Sequence, residues 1–133
     1  MSDQPLPSAF AERPDYRVDL LARTNSVTAR YGADTLATSD ACLLVDEQDH
    51  GLVVYFPPDA VNFHGLAAVD LHTRCPFKGE ASYWTLAGSD RPWIAWSYPD
   101  PYPQVERLAG YIAFDQSAVE VVLGAGRYTG VRA

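Results

Sequence analysis

The chain reads as an all-β domain, mostly antiparallel, of a tent-like or barrel-like two-sheet kind with one short helix. Three observations predict this class. Short apolar or alternating runs recur along most of the sequence, Gly, Pro and Asp clusters punctuate them, and almost no segment carries the apolar stripe of an amphipathic helix. A length of 133 residues with 47% hydrophobic content suits one domain that builds its core without disulfides or metal.

The first fourteen residues hold Pro5, Pro7 and Pro14 among charged groups and show no periodicity, so they read as an arm. Tyr16 to Leu21 fits a short half-buried strand or a single helical turn, and the extended form is preferred. Val27 to Tyr31 and Thr35 to Thr38 flank Gly32-Ala33-Asp34, the signature of a first hairpin. Cys42 to Val45 and Leu52 to Phe56 are apolar runs on either side of an acidic turn, and Pro57-Pro58 stops the second; two buried strands are expected. The spacing of Val61, Leu66, Ala68, Val69 and Leu71 follows neither period and reads as a loop with a strand near Val69.

Ser82 to Leu86 and Trp93 to Tyr98 bracket Gly88-Ser89-Asp90, predicting a second hairpin dense in aromatic rings. Gln104 to Ala109, between Pro103 and Gly110, is the expected short helix. Tyr111 to Phe114 and Ala118 to Leu123 around Asp115-Gln116-Ser117 read as a third hairpin, and a tail follows from Gly124.

A net charge of −7 and the lack of a basic stripe argue against a nucleic-acid partner. No stretch has the length of a membrane span and the start has no signal-like apolar run, so a cytoplasmic location with no membrane partner is expected. Cys42 and Cys75 are expected as reduced thiols.

Residues 72 to 84 concentrate the reactive groups: His72, Arg74, Cys75, Lys78, Glu80, Tyr83 and Trp84 around Pro76 and Gly79. Cys75 has basic neighbours in Arg74, Lys78 and His72, yet a cysteine more often packs as a small hydrophobe, so a structural role outweighs a catalytic one. The candidate catalytic groups are Cys75 as nucleophile with His72 or Glu80 as acid or base. His72-x-x-Cys75 has the spacing of a metal-ligand pair, and Cys42, His50 and His64 could complete a site; the lack of any C-x-x-C makes this weak, and no metal or cofactor is expected. Asp46, Glu47, Asp59 and Glu80 are the carboxylates a nucleotidyl transfer would need beside a divalent ion. Lys78-Gly79 has no surrounding phosphate-loop pattern.

Four ordered motifs give the chain a family resemblance: Tyr55-Phe56-Pro57-Pro58-Asp59-Ala60-Val61, Thr73 to Trp84, Ala95-Trp96-Ser97-Tyr98-Pro99-Asp100-Pro101 and Gly110 to Phe114. It resembles the domain of unknown function family 427, which also carries a nucleotidyltransferase-like label. The likeness spans residues 24–124, leaving residues 1–23 as an N-terminal arm and 125–133 as a tail. It implies a compact antiparallel β fold, similar to tent-like two-sheet folds with zinc-bearing and aromatic-cage members, and it implies no established activity. Some members of the family carry two copies of this unit; the single copy here suggests a homodimer. Phe77 stands where relatives often have Tyr, which removes a phenol from that position, and Ala60 stands where they carry an acidic or polar residue.

The expected function is binding of a small polar or anionic molecule in an aromatic-lined pocket, with Lys78 providing charge and Tyr83, Trp84, Trp96 and Tyr98 forming the walls. An enzyme acting at the same pocket, nucleotidyltransferase-like or Cys-dependent, and a ligand-free interaction module are the alternatives.

Overall fold

In the computed structural model, residues 7–125 are described; residues 1–6 of the arm and 126–133 of the tail lie outside the described residues. Ten strands form two antiparallel sheets. In chain order they are β1 (Val18–Ala22), β2 (Val27–Tyr31), β3 (Asp34–Ser39), β4 (Leu43–Glu47), β5 (Gly51–Phe56), β6 (Leu66–Cys75), β7 (Gly79–Leu86), β8 (Ala95–Ser97), β9 (Ile112–Phe114) and β10 (Glu120–Leu123). The large sheet runs β1-β4-β5-β9-β8-β7-β6, and the small one β10-β2-β3.

The continuous apolar runs of β4 and β5 arise because both faces of the large sheet are covered. Alternate residues divide between two cores. Cys42, Leu44, Val54 and Phe56 join Val27, Ala29, Leu36 and Ala37 of the small sheet, together with Ile94, Ala95, Ile112 and Phe114. Leu43, Val45 and Tyr55 turn the other way and meet Ala81, Tyr98, Leu108 and Ala113. The first face is therefore roofed by a whole sheet. Among the described residues, the second has a 3-10 segment, Pro103–Leu108, and part of the N-terminal arm above it, and this cover leaves a concavity.

The expected short helix stands at Pro103–Leu108 and is of the 3-10 type, with non-helical φ/ψ at Val105 (φ −128°, ψ 31°), because so short a stretch between Pro103 and Gly110 does not repay α-helix nucleation. Two expectations change. The third hairpin does not exist, since β9 pairs with β5 and β8 in the large sheet while β10 crosses to β2 in the small one. The segment read as loop around Val69 is the ten-residue β6, an edge strand whose side chains are mostly exposed and so carry no core-facing period. Its register slips between Val69 and His72, which resets which side chains face inward. The hairpins β2–β3 and β7–β8 and the strand pair β4–β5 stand as expected. Val18–Ala22, inside the stretch read as arm, is the edge strand paired with β4.

Candidate functional site

The concavity on the thinly covered face is a cavity of about 590 Å³. Its walls follow from strand parity. Tyr83 of β7 lies in register with Trp96 of β8, so both point to the same side. Tyr55 of β5 joins them, with Trp96 Nε1 donating to the Tyr55 hydroxyl at 3.0 Å. Trp93 precedes β8 and escapes its alternation, so it faces the cavity beside Trp96 while Ile94 enters the opposite core.

The rings stand edge to face. Centroids are 6.2 Å apart at 89° for Tyr55 and Trp96, 5.9 Å at 81° for Trp93 and Trp96, and 5.6 Å at 65° for Tyr83 and Trp93. Such packing fixes the four rings at steep angles instead of letting them collapse into a stack. Thr73 anchors the far end of Tyr83 through a 2.6 Å hydroxyl to hydroxyl contact.

The polar end of the cavity is built around Glu47. Leu43, Val45 and Glu47 form one row of β4, so the parity that buries two aliphatic side chains also turns the carboxylate inward. Lys78, from the turn between β6 and β7, pairs with Glu47 Oε1, and Tyr16 donates to Oε2 at 2.6 Å. Glu47 is 5% exposed and Lys78 7%. His50 Nε2, largely in solvent, lies 3.6 Å from Oε2. Tyr16 stacks on Phe77 with centroids 3.7 Å apart, and Phe10 meets Phe77 edge-on at 5.0 Å. The arm is tied to this turn again by the Ala9 amide donating to the Pro76 carbonyl.

Tyr98 is the remaining polar wall. Its ring lies 5.7 Å from Lys78 Nζ, and its side chain is 7% exposed. The hydroxyl has no hydrogen-bond partner among the described residues. No fully enclosed side-chain N or O lacks a partner among them, so this oxygen opens onto the cavity that Tyr98 lines. Burial first, then the negative potential of neighbouring groups, raises the phenol's pKa far above 10, which keeps it a neutral donor. Tyr55 is raised chiefly by burial, and Tyr16 by burial and its bond to Glu47.

Comparison with known families matches residues 19–124 to the domain of unknown function DUF427. The chain belongs to the DUF427 family. No curated protein matches the chain.

Of the residues singled out from the sequence, this DUF427 domain brings Cys75, Lys78, Tyr83, Trp96 and Tyr98 to one cavity. It does not bring His72, Glu80 or Trp84 there. His72, opposite Ser82, lies away from the cavity with its Nδ1 3.6 Å from Glu80 Oε1, whereas Arg74, opposite Glu80 in the register, is among the residues that line the cavity. A spacing of three along a strand sends His72 and Cys75 to opposite sides, so they do not form a nucleophile and base. Trp84 packs with Phe63 against the core under the small sheet. The Arg74 guanidinium is held by the Tyr102 hydroxyl and the Pro7 carbonyl.

The carboxylates weighed for nucleotidyl transfer stand apart. Asp46 meets Arg17 on the outer side, Glu47 faces the cavity, Asp59 sits in the 3-10 segment Pro58–Ala60 and Glu80 is on the outer face. Among the described residues no three His, Cys, Asp or Glu side chains gather to hold one metal ion. Sequence reasoning missed Tyr16 and placed Glu47 only among the four carboxylates weighed for nucleotidyl transfer. The signal for Glu47 was its place in the Leu43-Val45-Glu47 row; Tyr16 left none, because its role depends on where the arm folds back.

Proposed function

We propose that this DUF427 domain binds a small polar molecule in the aromatic-walled cavity, with its apolar body between Trp93, Trp96 and Tyr83 and a hydrogen-bond acceptor at Tyr98. The observation that carries the reading is the Tyr98 hydroxyl, which has no partner among the described residues and opens onto a cavity of about 590 Å³. A fold gains nothing from such a group, whereas a ligand oxygen or nitrogen satisfies it. The volume lies within the range of small-ligand sites, whose usual make-up is apolar walls with a few polar groups. Because Lys78 is already neutralised by Glu47, the arrangement favours an uncharged polar ligand over an anion.

A thermal-shift screen with nucleobases, nucleosides, amino acids and sugars tests this. A binder of the native state raises the melting temperature by mass action and quenches indole fluorescence. Trp96→Ala removes the response. A screen in which every compound leaves both the melting temperature and the fluorescence of the wild-type chain unchanged defeats the reading.

A further inference from the structure

The sequence has nine arginines and a single lysine. Among the described residues every arginine is exposed or half-buried, and the one lysine is buried in the cavity against a carboxylate. The two cations differ chemically in one respect that bears on this placement. A guanidinium stays protonated in proteins, whereas an ammonium can lose its proton and become a nucleophile. A buried ion pair is also a poor source of stability, because desolvation offsets the attraction.

From this placement we infer that Lys78 is a carbonyl-reactive amine that forms a Schiff base with a small aldehyde or ketone held in the cavity. The inference rests on the ligand-binding reading above. Glu47 takes a proton from the Lys78 ammonium, leaving a neutral amine and a carboxylic acid. The amine lone pair attacks the carbonyl carbon, an N–C bond forms, and the carbonyl π electrons move to oxygen, which accepts a hydrogen bond from the Tyr98 hydroxyl. A proton passes from nitrogen to that oxygen to give a carbinolamine. Glu47 then protonates the departing hydroxyl, water leaves, and the nitrogen lone pair completes the C=N bond. The products are one water, an iminium at Lys78 and a Glu47 carboxylate paired with it, so charge and protons balance. Tyr98 suits its part because its hydroxyl is uncommitted and its ring already lies beside Nζ.

The test is reductive trapping with benzaldehyde and sodium cyanoborohydride at neutral pH, read by intact mass and peptide mapping. The chain offers two primary amines, Lys78 and the α-amine, and an ordinary lysine is outcompeted there because it is more fully protonated. Preferential benzylation of Lys78 is the expected result. Lys78→Arg keeps a cation for Glu47 and abolishes the internal label. Tyr98→Phe slows labelling at least about tenfold. Benzyl alcohol, which binds without reacting, separates the two ideas. If it and benzaldehyde both quench the cavity tryptophans but the label stays on the α-amine, the Schiff-base inference is overturned and the cavity reading stands. If neither compound binds and Lys78 is unlabelled, the Schiff-base inference is overturned, and the thermal-shift screen decides the cavity reading.

Discussion

Cys42 and Cys75 are the same functional group in two surroundings. Cys42 is 1% exposed in the core under the small sheet, and burial pushes its thiol up to about 11. Cys75 is half-buried on the cavity wall. Thiolate and access together govern alkylation, so iodoacetamide at about pH 8 modifies Cys75 in the native chain and reaches Cys42 only in denaturant. Peptide mapping checks this, and two equivalents in the native state contradict it. Tyr98 allows an equally local test. Its hydroxyl has no hydrogen-bond partner among the described residues, so Tyr98→Phe changes stability by less than about 1 kcal/mol in a denaturant titration.

Among the elements, the turn joining β6 to β7 is the most constrained. Gly79 has φ +123°, and a Cβ there would stand 3.3 Å from the Asp100 carbonyl oxygen, while the Tyr102 amide donates to the Lys78 carbonyl at 3.1 Å. Gly79→Ala therefore costs about 1 to 3 kcal/mol and disturbs the seat of Lys78. Gly65, with ordinary φ and open space around it, is the control, and Gly65→Ala stays within about 0.5 kcal/mol in the same urea melts.

The elements were legible where one physical signal dominated. The hairpins β2–β3 and β7–β8 and the strand pair β4–β5 announce themselves because apolar runs end at turn residues. β6 does not, since an exposed edge has no apolar face to show, and β10 does not, since a long crossover looks locally like a hairpin. The site was half legible for the same reason. The aromatic cluster of the second hairpin pointed to Tyr83, Trp96 and Tyr98 but equally to Trp84, which lies on the opposite face, whereas the bulge in β6 and the return of the arm depend on contacts between segments far apart in sequence.

At the scale of the molecule, three phenols among the described residues are held neutral by the fold: Tyr16, Tyr55 and Tyr98. Burial is the largest cause for each, and all three pKa values are raised above the 10.0 of a free phenol. The unfolded chain loses these protons more readily, so this contribution to stability is complete below pH 10 and declines as pH rises past it. Alkaline titration should show phenolate absorbance from these residues appearing together with loss of the near-ultraviolet dichroism. Reversible ionisation of all eight tyrosines with that dichroism intact would contradict the burial described above. The last described strand has a separate consequence. Because Glu120 pairs with Arg30, ninety residues away, the small sheet gains its third strand only after residues through Leu123 have emerged from the ribosome. Closing so large a loop is costly before its contacts repay it, which makes this step the natural candidate for the slow phase of folding. Until then the apolar face of the large sheet is only partly roofed, and the nascent chain is most exposed to aggregation in that interval.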